Sequence, residues 1–270
     1  MSKRIRILLN IVLILAALTG AGMLLRQQLQ WRDSAAASEK ASEIVHAAPA
    51  PAPVPGSVPA SPPAEDPPVP GPVTGSVSPD PVVKELEAID IAALREVNPD
   101  IVGWIHIPGG DISYPLLQGE DNDYYLHHTW EKKWNSGGSI FLDCRSARNF
   151  GDFHTLIYGH RMRNDTMFAP LRRYAEQTWW EAHPYIYIVD EEQVRRYEIF
   201  AAWEPDVTSP VYDPDLTGGE ARREMIAQCL TASVVDTGIV PDPEDHLLTL
   251  STCTGQGHAT RWVVQGRLAE

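Results

Sequence analysis

Cysteine is scarce in this sequence, with three in 270 residues. That is too few for a scaffold stapled by disulfides in place of a hydrophobic core. Positive charge is also short. Lysine and arginine number 22 against 36 acidic residues, for a net charge of -14, and no basic block interrupts that balance. The shortage excludes nucleic-acid binding, which depends on cations neutralising phosphates, and it disfavours docking of the folded part on anionic lipid. Cysteine and histidine pairs at metal-ligand spacing are missing as well. The adjacent His127-His128 would face different ways on regular structure, so neither a metal nor an organic cofactor is expected.

These shortages are uneven along the chain. Residues 1–82 hold six basic and six acidic side chains, whereas residues 83–270 hold 16 basic and 30 acidic ones, so the whole net charge sits on the later part. Met1 to Arg6 carries Lys3, Arg4 and Arg6, and an apolar run from Ile7 to Leu25 follows, closed by Arg26. Its nineteen residues make about 28 Å of helix, enough to span a bilayer core. The preceding cations favour a cytoplasmic N-terminus. A cleaved signal peptide, with small residues around Thr19-Gly20-Ala21, is the competing reading. Both readings send the rest of the chain across the membrane. Of the 23 prolines, 13 fall between Pro49 and Pro81. The segment from Asp33 onward lacks hydrophobic periodicity and large apolar residues, so it is predicted to stay unfolded. Polyproline segments of this length reach on the order of 150 Å. The expected organisation is a cytoplasmic stub and signal anchor over 1–32, a disordered linker over 33–82, and one folded domain over 83–270.

Asp80-Pro81 reads as an N-cap followed by proline at the first helical position. Leu86, Ile89, Ala93, Leu94 and Val97 recur at helical spacing, and Asn98-Pro99 ends the run. Beyond it, short β-branched and aromatic segments alternate with turns. Strands are predicted at Ile101–Ile107, Ser139–Leu142, Thr155–Tyr158, Tyr185–Val189, Arg196–Trp203, Leu247–Thr252 and Trp262–Leu268. One helix is predicted from Glu220 to Ala232, and a shorter helical stretch over Ala169–Tyr174. Many short strands with few helices suggest a β-barrel or a sandwich, and periodicity does not choose between them.

The residues with chemical potential lie near the C-terminus. Cys253 ends the strand Leu247–Thr252, and Arg261 opens the next strand. If the two strands form an antiparallel hairpin, a permanently charged guanidinium faces a thiol at a loop mouth. Such a cation favours thiolate or stabilises an oxyanion formed by thiolate attack. A cysteine nucleophile also needs a histidine partner. His160, in Tyr158-Gly159-His160, follows a strand end at a loop rim. His258, in the loop after Cys253, is its rival. His106 lies inside a strand, His127-His128 follow Tyr124-Tyr125, and His183 precedes a proline. Cys229 lies on the apolar stripe of a helix and reads as a small hydrophobe. Cys144 sits beside Asp143 and Arg145 with no histidine partner, and a Cys144–Cys229 disulfide remains an alternative.

The order His160, then Cys253 closing Leu250-Ser251-Thr252-Cys253, then Arg261, resembles the sortases, cysteine transpeptidases of Gram-positive cell surfaces. Several stretches resemble class B members. They include Asn98-Pro99-Asp100-Ile101-Val102-Gly103-Trp104, Tyr114-Pro115-Leu116-Leu117-Gln118-Gly119, Asp121-Asn122-Asp123-Tyr124-Tyr125-Leu126, Gly138-Ser139-Ile140-Phe141-Leu142-Asp143 and His183-Pro184-Tyr185. The resemblance implies a mainly β fold, a closed eight-stranded barrel with helices before it and a helix inserted before the strand that ends at Cys253. It implies Cys253 as nucleophile, His160 as general acid/base and Arg261 as oxyanion stabiliser, with Asn122, Leu126 and Ser251 similar to substrate-groove residues. The implied partners are a secreted protein with a C-terminal sorting signal, cleaved after threonine, and an amine acceptor on the cell wall or a surface peptide. Thr254 departs from members that carry an acidic residue after the cysteine. Papain-like enzymes place cysteine before histidine, the reverse of this order, and L,D-transpeptidases keep the two close together. A catalytically silent surface-binding barrel is the alternative outside enzymes.

Overall fold

The computed structural model describes residues 3–47, 80–214, 216–254 and 259–269. Most of the expected linker, residues 48–79, and the rival His258 lie outside the described residues.

The first helix, α1, runs from Lys3 to Ala47 and is long and apolar enough to cross a membrane by length and composition. It corrects the expectation that order ends near Asp33. Residues 33–47 continue the helix, because Ala35-Ala36-Ala37 and Ala41 are strong helix formers and propagation from a formed helix avoids a new nucleation step. The packing signal is narrow. Ala37, Ala41 and Val45, four apart, are buried against the first helices and strands of the domain. The Trp130 indole donates to the Ala37 carbonyl (2.7 Å), Asn135 Nδ2 donates to the Gln30 carbonyl (3.0 Å), and Lys40 pairs with Glu131. A search for large apolar residues misses a stripe built of alanines.

The single helical run predicted after Asp80 is two helices, α2 (Pro81–Leu86) and α3 (Ile91–Val97). Asp80 caps the first through Val82 N–H (2.9 Å), with Pro81 at its first turn. Asp90 caps the second through Ala93 N–H (2.9 Å), which breaks the run between them. Leu86, Ile91 and Leu94 turn inward.

Eight strands follow: β1 (Ile101–Ile107), β2 (Ile112–Leu117), β3 (Ile140–Leu142), β4 (His154–Tyr158), β5 (Tyr185–Val189), β6 (Val194–Trp203), β7 (Leu247–Cys253) and β8 (Arg261–Leu268). They close as a barrel in the order β1-β2-β3-β4-β7-β8-β6-β5, which decides between barrel and sandwich. Strand β2 is absent from the strands read individually, since Pro115 in its middle argues against a strand. Pro115 is tolerated because β3 pairs only with Leu116 and Leu117, so the flank of Pro115 away from β1 carries no ladder. Two further helices complete the domain, α4 (Gln177–Ala182) and α5 (Gly219–Ala232), and the predicted stretch at Ala169 is a 3-10 helix ending at Ala175. Aliphatic side chains such as Ile105, Leu116, Ile157, Ile188, Leu248, Leu250 and Val264 fill the barrel. Two outer faces are covered separately, one by α1 to α3 and one by α5.

Candidate active site

The barrel register brings the predicted residues together. Strands β4 and β7 are parallel neighbours with Tyr158 opposite Ser251, and Gly159 N–H extends the ladder by donating to the Ser251 carbonyl (3.2 Å). Strands β7 and β8 are antiparallel, with Cys253 directly opposite Arg261. Side chains alternate between faces along a strand. Leu248, Leu250 and Val264 point inward, while Leu247 and Val263 point outward beneath α5. Cys253 shares the parity of Leu247, and Arg261 that of Val263, so both project from the outer face at one strand end. His160 lies two residues beyond Tyr158, as Cys253 lies two beyond Ser251, so the parallel ladder carries it level with Cys253 on that face. Neighbouring strands are about 4.8 Å apart. The hairpin condition on the Cys253–Arg261 pairing is met.

Two glycines set the histidine in place. A Cβ on Gly159 would meet Ile140 Cδ1 at 2.4 Å and the Phe168 ring at 2.7 Å, so only glycine lets the chain before His160 close onto the core. Gly138, at φ +56°, lies where a Cβ would come within 2.6 Å of the Tyr125 and Leu126 carbonyls. That approach pins the loop facing the histidine, helped by Ser139 N–H donating to the Tyr125 carbonyl (2.9 Å). His160 Nε2 lies 2.8 Å from the Leu126 carbonyl. A carbonyl only accepts, so Nε2 carries the hydrogen and Nδ1 is the basic nitrogen. Burial holds the His160 pKa below the ordinary imidazole value, the Leu126 hydrogen bond opposing and nearby His127 adding to the shift. At neutral pH the ring is therefore neutral.

The three residues expected in a substrate groove have different surroundings. Leu126 is half-buried and presents its carbonyl to His160. Asn122 uses both ends of its amide locally. Nδ2 donates to Asp143 Oδ2 (3.0 Å), and Oδ1 accepts from Cys144 N–H (2.8 Å). Ser251 is buried, with Tyr212 Oη 3.2 Å from its hydroxyl. Asp143 is a fully buried carboxylate that sequence reading passed over. Burial alone would raise its pKa, but Arg145, its backbone N–H and the Tyr158 hydroxyl outweigh that and hold it below the usual range. The outcome is a fixed anion beneath the strand end, tying Asn122, Tyr158 and Arg145 to one point.

Cys253 opens onto a cavity of about 180 Å³, lined also by Arg161, Arg172, Ala175, Glu204, Thr252, Thr254 and Trp262. A larger hollow of about 560 Å³ lies between the α2–α3 region and the β5–β6 turn. Its rim is acidic and has no nucleophile, so volume alone does not find the chemistry. The other cysteines stay apart from it. Cys229 is buried, and burial pushes its thiol pKa up to about 12. Cys144 is half-buried, and both thiols are free, so no disulfide joins them. Among the other histidines, His106 pairs with Ser113 and His183 stacks on Trp179.

Comparison with known proteins agrees with this arrangement. The family model for the sortase domain matches residues 105–269. Sortase B of Listeria monocytogenes is 36% identical over 186 residues, covering 66% of this chain and 74% of that protein. The X-ray structure of Clostridium perfringens sortase B, 30% identical, aligns with a TM-score of 0.63 over 67% of this chain and 100% of that one. A Staphylococcus aureus sortase B–substrate complex, 28% identical, aligns at 0.63 over 67% and 84%. The barrel, its helices and these matches together establish that the chain belongs to the sortase family of cysteine transpeptidases, with sortase B proteins as its relatives.

Proposed function

We propose that this chain is a membrane-anchored transpeptidase that cleaves a C-terminal sorting motif after threonine and joins the freed carbonyl to an amine on the cell wall or a surface protein. The observation that carries this reading is the placement of Cys253, Arg261 and His160 at one end of three adjacent strands beside a cavity. Neutral His160 takes the Cys253 proton on Nδ1 as sulfur bonds to the threonine carbonyl carbon. The resulting oxyanion is stabilised by the Arg261 guanidinium. Collapse breaks the C–N bond, and the proton on His160 passes to the departing amine, leaving a thioester. The acceptor amine then forms a new C–N bond as the C–S bond breaks. With water in its place, the same steps make the enzyme a thiol peptidase.

Asn122, Leu126 and Ser251 line the approach in this reading. Asn122 and Ser251 act by holding the strand ends, and Leu126 by its carbonyl on His160. The apolar stretch of α1, preceded by Lys3, Arg4 and Arg6, supports a single-pass anchor with the barrel outside the membrane. Incubating the full chain with a library of threonine-containing sorting peptides tests the assignment. The expected product is an acylated enzyme that hydroxylamine releases. Equal capture of peptide by the Cys253→Ala variant would sink it.

A further inference from the structure

Most arginines in this domain are matched to acids, as Arg95 is to Glu191, Arg173 to Asp111 and Asp165, Arg195 to Asp190, and Arg267 to Glu198. With 30 acidic against 16 basic side chains after residue 82, such matching is what chance encounter alone would favour. Among the described residues Arg148, Arg161 and Arg163 break the pattern, and of these it is Arg161 that reaches the cavity at Cys253. Arg161 is an exposed residue, and no ion pair or side-chain hydrogen bond engages it among the described residues. It follows His160 directly and lines the same cavity as Cys253. Arg172 lines that cavity too, half-exposed and held by Asp165 through Nη1 alone, so its other donors remain available. Glu204 shares the lining, and its Oε1 accepts from Thr260 while Oε2 takes no hydrogen bond among the described residues. The cavity beside the sulfur therefore offers guanidinium donors and a carboxylate. In an acidic domain that repels anions at a distance, these arginines are a local site where an anion is favoured.

We propose that this cavity is the acceptor subsite, and that it selects an amine whose carbon neighbour carries a carboxylate, the arrangement found at an amino-acid terminus. The proposal rests on the transpeptidase reading above. The carboxylate lies on Arg161, assisted by Arg172, and Glu204 receives the ammonium before it loses its extra proton to solvent. The free amine then attacks the thioester carbonyl carbon. A C–N bond forms, the C–S bond breaks, Cys253 leaves as thiolate, and the remaining surplus proton passes to His160 Nδ1. Guanidinium–carboxylate hydrogen bonds are directional and charge-assisted, so they position the amine as well as bind it.

The test follows the acyl-enzyme after it forms. The full chain, acylated by a sorting peptide, is offered glycine or glycinamide, and the two transfer products are counted by mass spectrometry. Because the two amines differ in basicity, the quantity compared is the glycine-to-glycinamide ratio within each enzyme. We expect that ratio to fall about tenfold in Arg161→Gln, the usual scale for losing one charge-assisted contact. It should recover in part in Arg161→Lys and fall by less in Arg172→Gln. A ratio that holds within about twofold in the Arg161→Gln and Arg161→Lys variants overturns the proposal. So does a loss that follows an acidic residue in the sorting peptide and ignores the acceptor. Failure of the wild-type chain to form any thioester would defeat the transpeptidase reading itself, whereas a thioester that partitions without regard to the carboxylate defeats only the acceptor subsite.

Discussion

The outer face of β4, β7 and β8 carries the same kinds of side chain twice, with opposite consequences. At the strand ends stand His160, Cys253 and Arg261 beside an open cavity. Lower on the same face stand the buried His154, Thr249 and Gln265, with the buried Cys229 of α5 packed over Gln265. His154 and His160 are six residues apart on one strand and its extension. His154 is fully buried, with Nε2 2.7 Å from Thr249 Oγ1. Thr249 in turn accepts from Gln265 Nε2 (3.0 Å), and Gln265 Oε1 accepts from the Trp203 indole (2.8 Å). The covered group turns its hydrogen bonds into the fold and seals His154 Nδ1 from solvent, whereas the uncovered group keeps Nδ1 of a histidine and a thiol within reach of the surface. Residue type does not separate the two sets. Cover by α5 and the segment before it, and the point at which the strands run out from under them, does.

Substitutions at the two cysteines should break the comparison most sharply. Cys253→Ala is expected to lower transfer activity by at least about 10⁴-fold, measured as product per enzyme. Cys229→Ala should leave turnover standing and lower the unfolding midpoint, since it removes a buried sulfur packed on Met225. Arg261→Ala comes next, with a loss of about 10²–10³-fold in acylation, the scale of a missing oxyanion donor.

The covered histidine should appear in stability and not in catalysis. Burial pushes the His154 pKa down to about 4, from an ordinary 6.5. Since the folded value is the lower one, the unfolded chain binds the proton first. Stability from this group is thus complete above about pH 6.5 and is lost as the pH falls toward 4. The loss is about 3 kcal/mol by linkage, and urea titrations between pH 7 and pH 4 should detect it. A His154→Gln variant should flatten that dependence. The smallest effect belongs to His160. Burial also lowers its pKa, so its basic form persists into mild acid. The acidic limb of the acylation rate should therefore fall below the ordinary imidazole value, and a limb above it would contradict the assigned surroundings.

Much of the comparison's open half is legible in the sequence. Cys253 and Arg261 stand at facing ends of two predicted strands, and the glycine before His160 marks a place where the chain must come close to its neighbours. What single residues do not reveal is that β4 and β7 are parallel neighbours, since 88 residues separate Tyr158 from Leu247 with several elements between. The resemblance implies a closed barrel, and the pairing itself is visible only in the fold. The same holds for Asp143 and Tyr212, whose roles depend on contacts distant in sequence, and for His154, which looks like any strand residue until Thr249 and Asp213 close on it. Strand β2 was obscured by Pro115, and the end of α1 by packing through alanine. In each case a neighbour distant in sequence supplies or overrules what the local signal carries.

If position at the strand end governs the chemistry, the uncovered thiol, and no other, carries the acyl group. The direct measurement is the intact mass of the full chain after exposure to a threonine-containing sorting peptide, with the adduct located by peptide mapping. The expected result is one hydroxylamine-sensitive acyl group on Cys253, absent from Cys253→Ala and retained in Cys229→Ala. An adduct on Cys144, or one that survives in Cys253→Ala, would contradict it.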